Sequence, residues 1–255
     1  MFRVTEPSAG IVHVMNWAAD LSAIQWVFIV VLAIISGLDR TALAQTSLCR
    51  PILCGGLCGL IMGNYAAGLL IGAVMELFWL MRLPVGATVA PDDTQATITA
   101  VFLFCGFNTG LHTLLPEHLL MVVVLFFATL FAYLGRLVDI GARHMNGRIQ
   151  YRAQATLERN SSLYAPNVLR WANLAGLMNF AIAAFFSQVI ILCATLASIA
   201  LVVPLLERFS WQFSAMPVYA ALLAGVGAVY ACITVRYGVV LFGAGFGITL
   251  LVTLV

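Results

Sequence analysis

The chain has 255 residues, of which 63% are hydrophobic and 9% are charged, and its mean hydropathy is +1.04. Soluble domains carry roughly 25% charged residues, so this composition excludes an ordinary soluble domain and predicts a membrane protein. The formal net charge of +2 is too small to indicate nucleic-acid binding. The six cysteines lie in or beside apolar runs, and they do not indicate a disulfide framework.

The first long apolar run, residues 21–38, predicts a membrane helix. Ala42-Leu43-Ala44 resembles a signal-peptidase site, but the region before it would be long for a secretory signal of roughly 15–30 residues. Asp39-Arg40 is also an unfavourable sequence just before such a cut. We therefore expect residues 21–38 to be retained as the first helix.

The segment 50–93 contains two sets of residues spaced four apart, which are Gly55, Gly59 and Gly63, then Gly68, Gly72 and Glu76. Positions four apart share a helix face, so each glycine set predicts a groove where another backbone approaches closely. A break at Gly63-Asn64 predicts two short helices joined by a turn. We interpret this pair as a hairpin that re-enters the membrane.

The remaining apolar runs predict two spans within 94–135 and further passes within 171–255, at Trp171 to Leu206, Phe209 to Val235 and Tyr237 to Val255. The run from 171 to 206 is longer than one simple span requires, and we expect Pro204 to end it. The sequence therefore predicts an all-α integral membrane protein with seven to eight hydrophobic helical elements, including the re-entrant hairpin.

The only large polar insert, residues 136–170, carries six arginines against Asp139 and Glu158. We expect a loop here, and the positive-inside rule places it in the cytoplasm. The pattern fits a topology determinant at least as well as it fits a docking surface. Elsewhere no catalytic motif and no metal-binding histidine spacing occurs, so we expect no catalytic residue, no metal and no cofactor. Cys54 and Cys58 share a helix face, but packing is favoured over a metal pair because no acid or histidine is near.

Glu76 is the candidate functional residue, because a carboxylate among apolar residues costs about 2.5 kcal/mol or more on insertion scales. Such a group usually faces a polar cavity, a partner or a substrate. Trp79 offers an aromatic face and Arg82 a candidate ion-pair partner. A packing role remains open, with Glu76 paired to Arg82 or to the backbone. The helix-breaking residues from Pro84 to Asp93 predict unpaired backbone groups that line the same cavity.

The 37–93 block resembles the IIC subunit of the mannose/fructose/sorbose family of bacterial phosphotransferase sugar permeases. The resemblance is carried by Gly37-Leu38-Asp39, Arg50-Pro51, the glycine ladder from Gly55 to Gly63, Gly68-Leu69, Gly72, Glu76-Leu77, Pro84, Gly86 and Pro91-Asp92. It implies a multi-pass subunit of the bacterial inner membrane, in contact with lipid, that pairs with a IID subunit in an oligomeric complex. A IIB subunit, charged from IIA, would phosphorylate the sugar, and the IIC chain itself would carry no phosphoryl group.

Within this resemblance we expect Glu76 to accept hydrogen bonds from sugar hydroxyls. Asn64 and Asp92 are the further polar contacts expected, and Asp39 is a weaker one. An alternative function is a non-transporting relative that anchors or regulates phosphotransferase proteins at the membrane. The sequence does not name the sugar.

Overall fold

The structure is a computed structural model that describes residues 21–43, 45–79, 89–107, 116–159 and 165–206. These residues contain no strand, and they form six helices: α1 (Ala23–Thr41), α2 (Pro51–Ile61), α3 (Tyr65–Trp79), α4 (Asp93–Gly106), α5 (Glu117–Arg159) and α6 (Ala165–Leu206). The all-helical prediction is confirmed. The predicted count of seven to eight elements is not, although the passes expected at 209–235 and 237–255 lie outside the described residues.

Helix α4 is the centre of the bundle, since it packs against each of the other five helices. Every residue from Thr94 to Gly106 is buried, and this set includes polar as well as apolar side chains. A helix that is covered on all sides needs no amphipathic face, which explains the lack of periodicity in its sequence. At 14 residues, or about 21 Å, α4 is shorter than a full span, and it is the part described of the first of the two spans that we predicted within 94–135. Residues 108–115 lie outside the described part of the chain.

Helices α2 and α3 form the hairpin that the glycine spacing predicted. Pro51 at the first position of α2 suits a helix start, and Gly63 ends the helix in the left-handed region with a φ of +77°. The Asn64 side chain then accepts a hydrogen bond from Ala67 N (3.1 Å) at the start of α3.

Helices α5 and α6 are 43 and 42 residues long, or about 65 and 63 Å. Both exceed the roughly 30 Å of a bilayer core. The prediction of a polar loop at 136–170 is wrong for most of this range, because α5 continues to Arg159 and α6 begins at Ala165. Arginine and glutamine are good helix formers, and α6 covers one face of this extension through Ala142 and Asn146. Pro204, which we expected to end the run from 171, lies inside α6.

Among the helices of the described residues, three, α1, α5 and α6, are long and apolar enough to cross a membrane. The first of them matches the retained helix predicted at 21–38, with a capping box in which Ser22 and Gln25 exchange hydrogen bonds. Helices α2 and α3 are apolar but shorter than a span.

Candidate functional site

Glu76 lies in the last turn of α3, where it bonds to the start of α2. Its Oε1 accepts a hydrogen bond from Arg50 Nη1 (2.8 Å), and its Oε2 accepts one from Ile52 N (3.4 Å). The Arg50 side chain is 59% exposed, and that of Glu76 is 18% exposed. The arginine end of this ion pair is therefore not covered by protein within the described residues. Arg82, the partner expected from the sequence, lies outside the described residues.

The glycine ladders explain why Glu76 meets the beginning of α2. A Cβ at Gly68 would lie 2.5 Å from Gly55 O, and one at Gly72 would lie 2.6 Å from Pro51 O. The two helices therefore touch backbone to backbone, as the spacing predicted. Glu76 follows Gly72 by four residues on the same face, so this contact brings its carboxylate to Arg50 and Ile52.

Asp39 organises the connection between α1 and α2. Its Oδ1 accepts hydrogen bonds from Thr46 N (2.6 Å) and Thr46 Oγ1 (2.8 Å), and its Oδ2 accepts one from Cys49 N (3.1 Å). Thr94 Oγ1 donates to Cys49 O (2.7 Å), which ties the same connection to α4. Burial raises the pKa of the Cys49 thiol to about 11, so this thiol is protonated at neutral pH. The Asp39 carboxylate is therefore occupied by this connection, which holds Arg50 in place.

Asp92 caps the N-terminus of α4 and joins three helices. Its Oδ1 accepts hydrogen bonds from Gln95 N (3.2 Å) and from Arg40 Nη1 (2.6 Å), and its Oδ2 accepts one from Ser187 Oγ (2.6 Å). Arg40 also lies 3.7 Å from Asp139 on α5. This buried cluster leaves a cavity of about 20 Å³, which is room for about one water and not for a sugar.

Of the other residues expected at the site, Asn64 lies far from Glu76, and Trp79, although it is in the same turn, is covered by protein. Asn64 lies twelve residues earlier, about 18 Å away at the opposite end of α3, so a single monosaccharide cannot contact both. Trp79 is only 6% exposed and makes an edge-on ring contact with Phe78, so protein covers its face. The structure thus joins Glu76 to Arg50 and Ile52, and it does not bring Asn64 to them.

The sequence reasoning missed the two arginines that pair with the acids. Arg40 and Arg50 stand at the two ends of the α1–α2 connection. Their partners Asp92 and Glu76 lie 52 and 26 residues further along the chain. The signal that could have found them is a lone charge at the end of an apolar run, which requires an opposite charge when it is buried. Cys54 and Cys58 point their thiols at Thr94 O (3.9 Å) and Ile98 O (3.6 Å) on α4, which is a packing arrangement. Within the described ranges no group of three metal-ligating side chains occurs.

Apolar helices long enough to cross a bilayer, with ion pairs held between them, define a multi-pass helical protein with an internal polar site, the class to which membrane permeases belong. Residues 23–255 match the family model described as the sorbose-specific IIC component of the phosphotransferase system (PTS). The chain therefore belongs to this family of IIC permease components, and it is a multi-pass protein of the bacterial inner membrane.

Three relatives show how far the sequence similarity extends. The chain is 30% identical over 84 residues to the mannose-specific EIIC component of Escherichia coli (strain K12), which is 33% of this chain and 31% of that protein. It is 28% identical over 91 residues to the fructose permease IIC component of Bacillus subtilis (strain 168), or 36% and 34% of the two chains. It is 30% identical over 84 residues to the sorbose-specific EIIC component of Klebsiella pneumoniae, or 33% and 31%. The aligned stretches span about a third of the length of these relatives.

The fold is also similar to that of a solved transporter. A chain in the cryo-EM structure of the mannose transporter ManYZ in complex with microcin E492 matches with a TM-score of 0.53 and 20% sequence identity. The match covers 89% of this chain and 86% of that chain. It supports the fold alone.

Proposed function

We propose that this chain is the membrane-translocating IIC subunit of a phosphoenolpyruvate-dependent sugar phosphotransferase system. The observation that carries the proposal is the Glu76–Arg50 pair at the end of the glycine-packed hairpin. A carboxylate accepts hydrogen bonds from sugar hydroxyls, and a guanidinium donates to hydroxyl oxygens, so the pair offers both functions to one polyol. Because Arg50 is 59% exposed, its guanidinium can turn from Glu76 toward a sugar held between the two residues without unfolding the hairpin.

The hairpin is suited to carry such a site inside the membrane. Helices α2 and α3 measure about 17 and 23 Å, less than a bilayer core, so we place them as a re-entrant hairpin. The connection before Pro51 is held by protein through Asp39 and Thr94, which fixes where the hairpin begins.

The proposed substrate is a hexose-type sugar, because the printed names of the relatives specify mannose, fructose and sorbose. The proposed partners are a IID membrane subunit and the soluble IIA and IIB phosphocarriers. The ManYZ complex supports the first of these by analogy. Phosphoryl transfer would take place on the soluble partners, and this chain would carry no phosphoryl group. The arginine-rich extension of α5, which includes exposed Arg148, Arg152 and Arg159, would then face the cytoplasm.

The proposal is tested by Glu76→Gln in the purified complex with its IID partner. A hydrogen bond to a charged group is worth about 1.5–3 kcal/mol, so we expect sugar affinity to fall about ten- to a hundredfold while the complex still assembles. Glu158→Gln is the matched control, because this acid is exposed on α5 and bonds only to Gln154 within the described residues. Isothermal titration with mannose, fructose and sorbose gives the affinities.

Two outcomes would count against the site. Unchanged affinity in an assembled Glu76→Gln complex would refute Glu76 as a sugar ligand. Loss of assembly, with normal affinity in the residual complex, would favour the packing role that the sequence left open. Arg50→Gln separates the two further, because it removes the ion pair and leaves the carboxylate available to the sugar.

A further inference from the structure

The contact that α6 makes with α1 and α4 includes hydrogen bonds between buried polar side chains. Ser187 Oγ donates to Asp92 Oδ2 (2.6 Å), and Gln188 Nε2 donates to Thr99 Oγ1 (3.0 Å). On the α1 side, Gln95 Nε2 donates to Ala33 O (2.8 Å). We call this contact the polar seam, defined by Gly37 on α1, Asp92, Gln95 and Thr99 on α4, and Ala184, Ser187 and Gln188 on α6.

Four buried side-chain oxygens in or beside the polar seam have no hydrogen-bond partner within the part of the chain that the structure describes. They are Ser36 Oγ, Gln95 Oε1, Gln188 Oε1 and Thr195 Oγ1. Both glutamines use their amide nitrogen and leave the carbonyl oxygen free. Gln188 and Thr195 lie seven residues apart on one face of α6, about 10 Å along the helix. The four unpaired oxygens therefore lie on three helices, α1, α4 and α6, and not at a single position.

Unsatisfied acceptors at membrane depth cost free energy, and lipid cannot satisfy them. Native proteins retain such groups where a water, an ion or a ligand uses them. Two of these groups, Gln95 Oε1 and Gln188 Oε1, can only accept hydrogen bonds, while the Ser36 and Thr195 hydroxyls can both donate and accept them. No acid or arginine among the described residues hydrogen-bonds to these oxygens. Their chemistry fits a ligand that presents several hydroxyl groups in succession.

The polar seam is also built from small residues. A Cβ at Gly37 would overlap the Cβ of Ala184, and one at Gly135 would lie 2.5 Å from Ser187 Oγ. The cavity beside them, about 20 Å³, has room for about one water. In the structure the polar seam is therefore closed, and hydrogen bonds from Ser187 to Asp92 and from Gln188 to Thr99 join its two sides. Hydrogen bonds between its two sides are of the kind that water or a polyol replaces.

We propose that the polar seam is a second sugar subsite, on the transport path and distinct from the Glu76 site, in which Gln95 and Gln188 accept hydrogen bonds from sugar hydroxyls. This inference rests on the proposed sugar-transport function. When α6 separates from α1 and α4, the free oxygens meet the hydroxyls of the passing sugar. Glu76 sets the affinity of loading, and the unpaired oxygens of the polar seam lower the barrier to passage.

The test uses the full complex and measures sugar uptake and sugar affinity separately. Gln188→Met removes the free carbonyl oxygen together with the donor to Thr99, at nearly constant volume. Thr195→Val removes only a hydroxyl that has no partner within the described residues. Ser198→Ala is the matched control, because its hydroxyl already donates to Ala194 O (3.0 Å) on the same helix. We expect uptake of radiolabelled mannose, fructose or sorbose, per assembled complex at saturating sugar, to fall about fivefold in each seam variant, the effect of one neutral hydrogen bond. Affinity should stay within about twofold of the unmodified complex, and the control should transport normally.

Thr195→Val keeps the test independent of folding, because removing an unsatisfied polar atom leaves stability equal or higher. Normal uptake per complex in both seam variants would overturn the inference and leave the oxygens as holders of structural water. Slower uptake that tracks a lower melting temperature would overturn it as well. An unmodified complex that neither binds nor transports any of the three sugars would instead refute the proposed function, and the subsite with it.

Discussion

Adding one methyl group to the glycine contact of the hairpin should separate α2 from α3. In Gly68→Ala the new Cβ would stand 2.5 Å from Gly55 O and 2.7 Å from Gly59 Cα. Ordinary van der Waals contact begins at about 3.4 Å, so the helices must part by close to 1 Å. The obstacles are backbone atoms, and no side-chain rotation relieves the clash.

The expected cost follows from two opposing effects. Overpacking costs typically about 1–3 kcal/mol, while glycine to alanine inside a helix gains about 0.5–1 kcal/mol. The net effect is a loss of about 0–2.5 kcal/mol, which corresponds to a melting temperature lower by up to about 10 °C for a chain of this size. Gly141→Ala is the matched control, since a Cβ at Gly141 on α5 would have nothing within 4 Å. It should leave the melting temperature equal or slightly higher.

The measurement is thermal unfolding of both variants in the same detergent, followed by sugar affinity of the assembled complex. Gly68→Ala should also weaken sugar binding, because the separation withdraws Arg50 and Ile52 from Glu76. Equal melting temperatures for Gly68→Ala and Gly141→Ala would refute the backbone contact between the ladders. Lower stability with unchanged affinity would refute the link from that contact to Glu76.

Two further predictions concern groups around the α1–α2 connection. Arg40→Met should lower the free energy of unfolding by about 3–5 kcal/mol, because it removes the cation that pairs with Asp92. The matched change Arg152→Met, at an exposed arginine, should have little effect. Chemical unfolding measures both, and equal effects would contradict the prediction. In a variant that retains only Cys49, the rate of alkylation should rise up to about pH 11. Burial raises the pKa of the Cys49 thiol, and the reactive thiolate forms only as the pH approaches that pKa. A rate that levels off below about pH 9.5 would contradict the buried position of Cys49.

The hairpin was predictable because its determinants are local. The four-residue glycine spacing, the break at Gly63-Asn64 and the position of Pro51 all act within one or two helical turns. The extension of α5 was not predictable on the same basis. A change from apolar residues to arginines marks the end of the membrane segment, but it does not end a helix that α6 supports through Asn146 and Asn179.

Glu76 could be identified from the sequence as the candidate acid, because a carboxylate within an apolar run costs free energy on insertion into a membrane. Its partner could not, because Arg50 and Glu76 are 26 residues apart and meet only when the hairpin closes. The central place of α4 was hidden for a related reason. A helix buried on every side shows no periodicity, so its sequence resembles that of a span in lipid.

The first turn of α4 connects the two proposed sites, because neighbouring residues serve different elements. Asp92 bonds to Arg40 and Ser187, which lie at the polar seam, while Thr94 bonds to Cys49 O next to Arg50. A displacement of α6 breaks the bond from Ser187 to Asp92, but it leaves both Arg40 on Asp92 and Thr94 on Cys49. The Glu76–Arg50 site can therefore stay formed while the polar seam opens, which is why sugar affinity and uptake rate should respond to different substitutions.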